Sequence, residues 1–341
     1  MIEKFFRNDI SRKRWLRFRA NKVGVISSVI LITMLTFSFT AEIWANHSPL
    51  VMNHKGKIYF PVLKYYHPSV FGREDLAQMD YKALQMGKDD WALWPFVHWD
   101  PYDRNERLET LPSPPSRVNW MGTDEGGRDV FSRLLYGFRY SIGYAVVVWF
   151  FSSLVGMIIG AVMGFKGGLL DLFGQRAIEI IESMPYLMIL ITLVSIFKPS
   201  LLLLAILTVF FNWVVVSIYF RAEFLKLRKR EFVEAARALG GSKARLIFKH
   251  ILPNSLTPWI TLSPFIIAGN ISSLAALDFL GFGLPPPTPS WGELLNQALK
   301  NFRNAWWLAV YPSLALFLAL TLLNLIGEAV RDALDPRGVK K

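Results

Sequence analysis

The chain is organised by long runs of apolar residues. Residues 23–43 carry no charge until Glu42, and 21 helical residues cover roughly 31 Å, the thickness of a bilayer core. Comparable runs lie at 140–165, 178–197, 201–220, 257–280 and 306–326, the run at 178–197 being interrupted by Glu179, Glu182 and Pro185. The pattern predicts an all-α integral membrane protein with six transmembrane helices. The first run reads as a retained helix. Its apolar core exceeds the roughly 7 to 15 residues of a signal peptide, and Ile43-Trp44-Ala45 is a poor cleavage site.

Composition narrows the chemistry. The 341 residues are 52% hydrophobic, with a mean hydropathy of +0.31 and a formal charge of +12. The absence of cysteine excludes disulfide frameworks, thiolate metal sites and thiol nucleophiles. The positive charge is unevenly placed. Eight Lys/Arg precede Val23 and nine more lie in 221–255. With residues 165–176 and the segment after Gly327, these regions carry +14, which leaves −2 for the rest. Six spans put both termini on one side, and the positive-inside rule makes that side cytoplasmic.

Residues 44 to about 138 then lie outside, and 44–117 are long enough for a small module on the outer membrane surface. Tyr59-Phe60, Tyr65-Tyr66, Trp91, Trp94 and Trp99 are its expected interface anchors. His47, His54, His67 and His98 fall here at intervals matching no metal-ligand motif, so they are expected to be solvated or interfacial, with no metal site. The basic run Arg12 to Arg19, with Trp15, Leu16 and Phe18, reads as an anchor on anionic lipid rather than a nucleic-acid site.

Enzyme motifs are missing. Gly56-Lys57 and Gly87-Lys88 are followed by Ile58 and Asp89, so neither completes a phosphate-binding loop. No His precedes Glu, and Gly240-Gly241-Ser242-Lys243-Ala244 lacks the last glycine of a nucleophile elbow. Among acids near apolar runs, Glu179 is expected to pair with Arg176 three residues earlier, and Asp278 to lie near water at the outer end of its span. No catalytic, cofactor-binding or metal-binding residue is assigned.

Other patterns concern helix packing. Ser152, Gly156, Gly160 and Gly164 recur every four residues, a face on which another helix approaches closely, in this chain or in another subunit. Asn212 and Asn270 are polar at membrane depth, and are candidates for interhelical hydrogen bonds or a wet pathway. In the basic segment 221–255, a helix is expected over 228–239, stopped by Gly240-Gly241. A second starts at Ser242 and ends where Pro253 prevents ready continuation. Phe232, Ala235, Ala236 and Leu239 repeat at helical spacing and call for a partner surface.

The sequence Glu234-Ala235-Ala236, three residues, Gly240, nine residues, then His250-Ile251-Leu252-Pro253-Asn254 resembles the signature loop of binding-protein-dependent bacterial ABC importer permeases, with His250 where Ile is common. Two further stretches resemble the second permease subunit of oligopeptide, dipeptide and nickel importers. One is Gly122-Thr123-Asp124-Glu125-Gly126-Gly127-Arg128-Asp129 with Ser132 to Arg139, and the other is Asp278 to Gly283 with 285–292. The long outer insertion is similar to the YejE-type branch, associated with microcin C and peptide uptake.

The resemblance implies a non-catalytic subunit in the bacterial inner membrane. Its partners would be a second homologous permease, two cytoplasmic ATPase subunits that bind ATP and magnesium, and a periplasmic substrate-binding protein. Its parts would be a cytoplasmic tail (1–22), a first helix (23–43), a periplasmic insertion with a pre-helix segment (44–138), a permease core (139–328) with coupling loop 221–255, and a cytoplasmic tail (329–341). Glu234, Ala235, Ala236, Gly240, Leu252 and Pro253 would contact an ATPase. Gly122, Thr123, Asp124, Gly127, Arg128 and Asp129 would lead into helix 2 at the outer surface, where contact with the binding protein is a further expectation. Nickel or another small solute is the alternative cargo. An ion-coupled secondary transporter is the alternative class, one that calls for repeated halves and a midplane carboxylate, neither visible here.

Overall fold

The computed structural model describes residues 9–74, 79–87 and 89–334. Of the two expected cytoplasmic tails, residues 1–8 and 335–341 lie outside the described residues. The chain divides into two compact units, Met1–Leu31 with Ile142–Leu274 and Phe317–Lys341, and Ile32–Ser141 with Ala275–Leu316.

Helices α1 (Asp9–Ala20) and α2 (Lys22–Phe39) open the chain, followed by the single turn α3 (Ala41–Trp44). After the long outer stretch come α4 (Val130–Lys166), α5 (Gly168–Glu182), α6 (Tyr186–Ile196), α7 (Leu201–Leu227) and α8 (Glu231–Ala238). It continues through the short α9 (Lys243–Arg245), a π segment (Leu246–Ile251) and α10 (Leu252–Phe279), and ends with α11 (Trp291–Lys300) and α12 (Trp306–Leu334).

Among the described residues, five helices are long and apolar enough to cross a membrane: α2, α4, α7, the continuous Lys243–Phe279 and α12. The expected span at 178–197 is not one straight helix. It falls into α5 and α6, bent by 69°. Pro185 flanks the break, and α6, at 11 residues, reaches only about 16 Å. The count is six only if the bent pair is one crossing. Glu179 does pair with Arg176, at 2.5 Å on the exposed side of α5.

Pro253 was expected to end a helix, and it does not. The segment before it is π-wound, with the Leu252 amide donating to the Ile247 carbonyl five residues back. The Asn254 side-chain amide then donates to the His250 carbonyl at 2.6 Å, and Ser255 Oγ to Leu252 O at 2.9 Å. The proline thus sits directly after a π-wound turn, and the helix runs on through it.

In the first unit the core joins Val216, Phe220, Phe224 and Leu227 of α7 to Val233 of α8 and to Leu246, Ile251 and Trp259. The small-residue stripe of α4 faces α7 of this same chain. A Cβ on Gly156 would lie 2.5 Å from the Trp213 carbonyl oxygen, one on Gly160 2.2 Å from that of Ser217, and one on Gly164 2.6 Å from that of Arg221. Only hydrogen fits at these contacts.

The second unit departs from the all-α expectation. An antiparallel sheet, ordered β2-β1-β3, is built from β1 (Val51–His54), β2 (Lys57–Tyr59) and β3 (Trp91–Leu93). Lys55 and Gly56, at φ 50° and 74°, make the left-handed turn that a two-residue hairpin requires. Met52 on the covered face packs with Phe71, Met79 and Tyr81, and with Tyr59, Tyr66 and Trp94. Several expected membrane anchors are therefore core residues of this module. Trp99 is also engaged internally, with the Lys82 ammonium 3.7 Å from its ring centre.

His67 and His98 are exposed as expected, whereas His54 and His47 are held by carboxylates. His54 is buried with Nδ1 2.8 Å from Asp90 Oδ2, and His47 Nδ1 lies 2.5 Å from Asp100 Oδ2. Their partners stand 36 and 53 residues away in the chain, a pairing that ligand spacing does not reveal.

Candidate functional site

The basic hairpin starts at Arg230 and turns on one glycine. Gly240 sits at φ +79°, its amide donating to Arg237 O, while the Gly241 amide donates to Ala236 O. These two bonds, five residues to two and six to one, form a Schellman cap that closes α8, and the left-handed residue in it favours glycine. No atom lies within 4 Å of a Cβ placed on Gly240, so the demand there is conformational rather than steric. Ser242 Oγ then caps the next helix by accepting from the Arg245 amide at 3.3 Å.

The hairpin has an inner and an outer face. Val233 is fully buried and Ala236 packs beside it on the α7 core, as does Leu252. Glu234, Ala235 and Pro253 point outward. The outward face also holds Phe232, Leu239 and Phe248, which are 44%, 89% and 68% exposed. That much open apolar surface on the seventeen residues from Phe232 to Phe248 suits a contact. Glu234 pairs within its own helix, with Arg237 at 2.7 Å.

Two anchors of this region have no counterpart in the motif. The Arg228 guanidinium donates to the carbonyls of Gly164 and Phe165 at 3.0 Å each, holding the loop to the end of α4. Arg221 forms a two-pronged bond to Asp171 of α5, at 2.5 and 2.7 Å. Basic residues in a basic loop look alike in sequence. Only the open carbonyls at a helix end distinguish Arg228.

At membrane depth, Asn212 donates to Asn270 Oδ1 at 3.2 Å, and Asn270, 4% exposed, donates to the Ala145 carbonyl at 3.1 Å. The pair ties α7 and α10 to α4. Tyr144 and Thr208 add a hydroxyl contact of 2.7 Å between α4 and α7.

In the second unit, the motif before α4 is a buried polar knot. Thr123, Asp124 and Asp129 are fully buried, and Arg128 nearly so. Gly122 turns the chain at φ +76°, and Gly127 turns it back at the same angle. Asp124 accepts from the amides of Gly126 and Arg128, and from Arg128 Nε at 2.8 Å. Asp129 caps α4 by accepting from the Ser132 amide at 2.9 Å, and its other oxygen accepts from Asn119 at 2.9 Å. Burial raises the Asp129 carboxyl above the usual carboxylate range, against the pull of these hydrogen bonds.

Arg133, with no exposure, completes the knot. It reaches the Glu293 carboxylate and the carbonyls of Pro287 and Thr288, and its Nε lies 3.3 Å from Asp124 Oδ2. Asp278, expected near water, is 4% exposed and closes the following loop by accepting from the Leu284 amide at 2.6 Å and from Ser290 Oγ. Gly283 and Gly292 pack against it so closely that a Cβ on either would collide with Asp278.

Among the described residues, His47, Asp100 and Asp103 offer ligand atoms within 4.8 Å of one another. Asp100 is already committed, one oxygen to His47 and the other to the amides of Tyr102 and Asp103. The hydrogen bond that the His47 ring donates to Asp100 raises the imidazole above its ordinary value, so the group reads as an ion pair.

Residues 156–340 match the family described as the binding-protein-dependent transport system inner membrane component, and residues 11–61 match the N-terminal transmembrane domain of oligopeptide transport permease C. The chain is 41% identical to the inner membrane ABC transporter permease protein YejE of Escherichia coli, over 96% of this chain and 98% of that one. It is 38% identical to the peptidoglycan transport system permease protein YejE of Agrobacterium fabrum, over 96% and 93%. It is 34% identical to the dipeptide transport system permease protein DppC of Bacillus subtilis, over 66% and 70%. With its capped hairpin, its buried motif before α4 and these matches along nearly its whole length, the chain belongs to the binding-protein-dependent ABC transporter permeases, as a non-catalytic, multi-pass subunit of the inner membrane.

Proposed function

We propose that this chain is one of two permease halves of an ATP-driven importer of short peptides and peptide-like compounds, and that α8 with its Gly240 corner is the element an ATPase subunit grips. The observation that carries this reading is the two-faced hairpin. One side is bonded into the α7 core through Val233 and Ala236, and the other presents Phe232, Leu239 and Phe248 to a partner. A force on the outer face reaches α7 through the inner one, and reaches α10 through the unbroken helix that Pro253 fails to interrupt.

The partners in this proposal are a second homologous permease, two cytoplasmic ATPase subunits carrying ATP and magnesium, and a periplasmic substrate-binding protein. ATP below and the loaded binding protein above would bias one shared two-state equilibrium between inward and outward openings. The basic hairpin and both termini face the cytoplasm, with α5 and α6 together making the sixth crossing, and the module at 44–117 faces the periplasm. The clustering of Lys/Arg supports this orientation. The burial of Asp124, Arg128 and Asp129 favours a structural role for that motif over binding-protein contact.

Peptide cargo is supported by the names of the relatives, which specify peptidoglycan and dipeptide transport. The test is uptake of labelled short peptides, microcin C and nickel by cells with and without the gene. Loss of peptide and microcin C uptake with nickel unchanged is expected, and loss of nickel uptake alone would overturn the cargo. Since the chain has no cysteine, single cysteines at Lys13 and at Lys57 would report orientation through an impermeant maleimide. Labelling of the first from outside the membrane would reverse it.

A further inference from the structure

A shallow, open groove of about 380 Å³ lies in the first unit between α1 and the end of α12. Its walls are Trp15 and Phe18 from α1 and Val330, Ala333 and Leu334 from α12, with Ser11 and Arg14 beside them. The two rings stand 6.0 Å apart and nearly parallel, at 24°. Apart from Ser11 and Arg14 the lining is apolar, whereas Leu16 on the same short helix is 40% exposed. The apolar residues expected to dip together into headgroups are therefore divided, with Trp15 and Phe18 turned towards α12 and Leu16 exposed.

The groove has a fixed frame. Gly24 at the start of α2 packs so closely on α12 that a Cβ there would lie 2.2 Å from that of Ala329. The Gly24 amide also donates to Asn21 Oδ1 at 3.0 Å, capping α2 at the junction with α1. Both α2 and α12 are long and apolar enough to cross the bilayer, so their junction with the basic α1 stands at a membrane surface.

We propose that this cleft binds one anionic glycerophospholipid, with part of an acyl chain against Trp15, Phe18 and Leu334 and the phosphate at Arg14. Charge complementarity selects this occupant. Helix α1 places Arg12, Lys13, Arg14, Arg17 and Arg19 within eight residues, and Arg14 itself lines the apolar space. A cation at the rim of an apolar slot matches a molecule with an anionic head and a hydrocarbon tail, and a bilayer supplies it from beside the slot. A zwitterionic lipid offers the same tail with less net attraction. A free phosphate offers the charge and leaves the slot empty.

The test uses the full chain, purified with the partner subunits that accompany it, in nanodiscs of phosphatidylcholine with or without phosphatidylglycerol. Lipid retained after extraction into detergent is measured by native mass spectrometry. One phosphatidylglycerol per chain is expected to be retained, with Arg14→Gln reducing its retention about fivefold and Arg14→Lys restoring it. Ala333→Trp, which fills the slot while leaving every positive charge in place, is expected to abolish retention, and Lys13→Gln on the exposed side of α1 to leave most of it. Equal retention of phosphatidylcholine, competition by glycerol phosphate alone, or full retention by Ala333→Trp in a complex that still assembles would each overturn the site. So would protection of the cleft by a segment of a partner subunit in place of lipid.

Discussion

The hairpin at Gly240 and the knot at Asp124 are both motifs of about ten residues, both rich in glycine and charge, yet they spend those residues in opposite ways. In the knot Asp124, Arg128, Asp129 and Arg133 are turned inward, with Arg128 and Arg133 paired to Asp124 and Glu293, and only Glu125 stays exposed. In the hairpin the charges are outward and paired only locally, and the apolar side chains are shared between a core and an open face. A motif is thus no guide by itself to a contact surface. Burial decides whether its residues are available to another molecule or are consumed in holding the chain's own shape.

The sharpest way to break the comparison is Arg133→Ala. Leaving Asp124 and Glu293 buried with less compensation should cost about 3–5 kcal/mol, seen as a large fall in the thermal midpoint and in membrane abundance. A variant of unchanged stability would mean that the knot holds nothing together. Gly240→Val is expected to act the other way. It places a β-branched residue in the left-handed region at a cost of roughly 1–2 kcal/mol, mostly local to the corner. Uptake should be lost while the protein stays in the membrane, and Gly240→Asn should keep much of the activity because asparagine tolerates that conformation.

A smaller effect is expected on the module at 44–117. Because His47 has a raised pKa beside Asp100, its charged form stabilises the folded state below the unfolded value of about 6.5, and that contribution disappears as pH rises through the raised folded value. Melting should therefore occur at lower temperature at about pH 8.5 than at about pH 6, and His47→Gln should reduce the difference. Smallest of all is Glu234→Ala. Its ion pair with Arg237 is half exposed and contributes about 0–1 kcal/mol to stability. If uptake falls much further than melting does, Glu234 has a second partner outside the chain.

The apolar runs make five helices legible in the sequence, because a span of twenty apolar residues has few other uses. The bend at Pro185 was legible only as an interruption. Whether a proline breaks a helix or is accommodated depends on the winding around it, and Pro253 follows directly on a π-wound turn. The glycine corner could be read directly, since a glycine pair after a helical run has a specific local conformation to offer. The burial of Asp278, the pairing of His54 with Asp90 and the reach of Arg133 to Glu293 were not readable. The two pairings join residues 36 and 160 apart, and nothing in the local pattern around either partner points to the other, while the Asp278 bonds span only 6 and 12 residues but depend on how the loop folds back.

The stripe at Gly156, Gly160 and Gly164 constrains the chain in a further respect. Three contacts in succession against carbonyls of α7 fix the angle at which α4 is turned about its own axis. Deleting or inserting one residue ahead of the stripe, without relaxation elsewhere, turns the rest of the helix by about 100° and brings a larger side chain to each carbonyl. Single substitutions on the opposite side of α4 leave that angle untouched. The helix therefore tolerates change in what it is made of far better than change in how many residues it has.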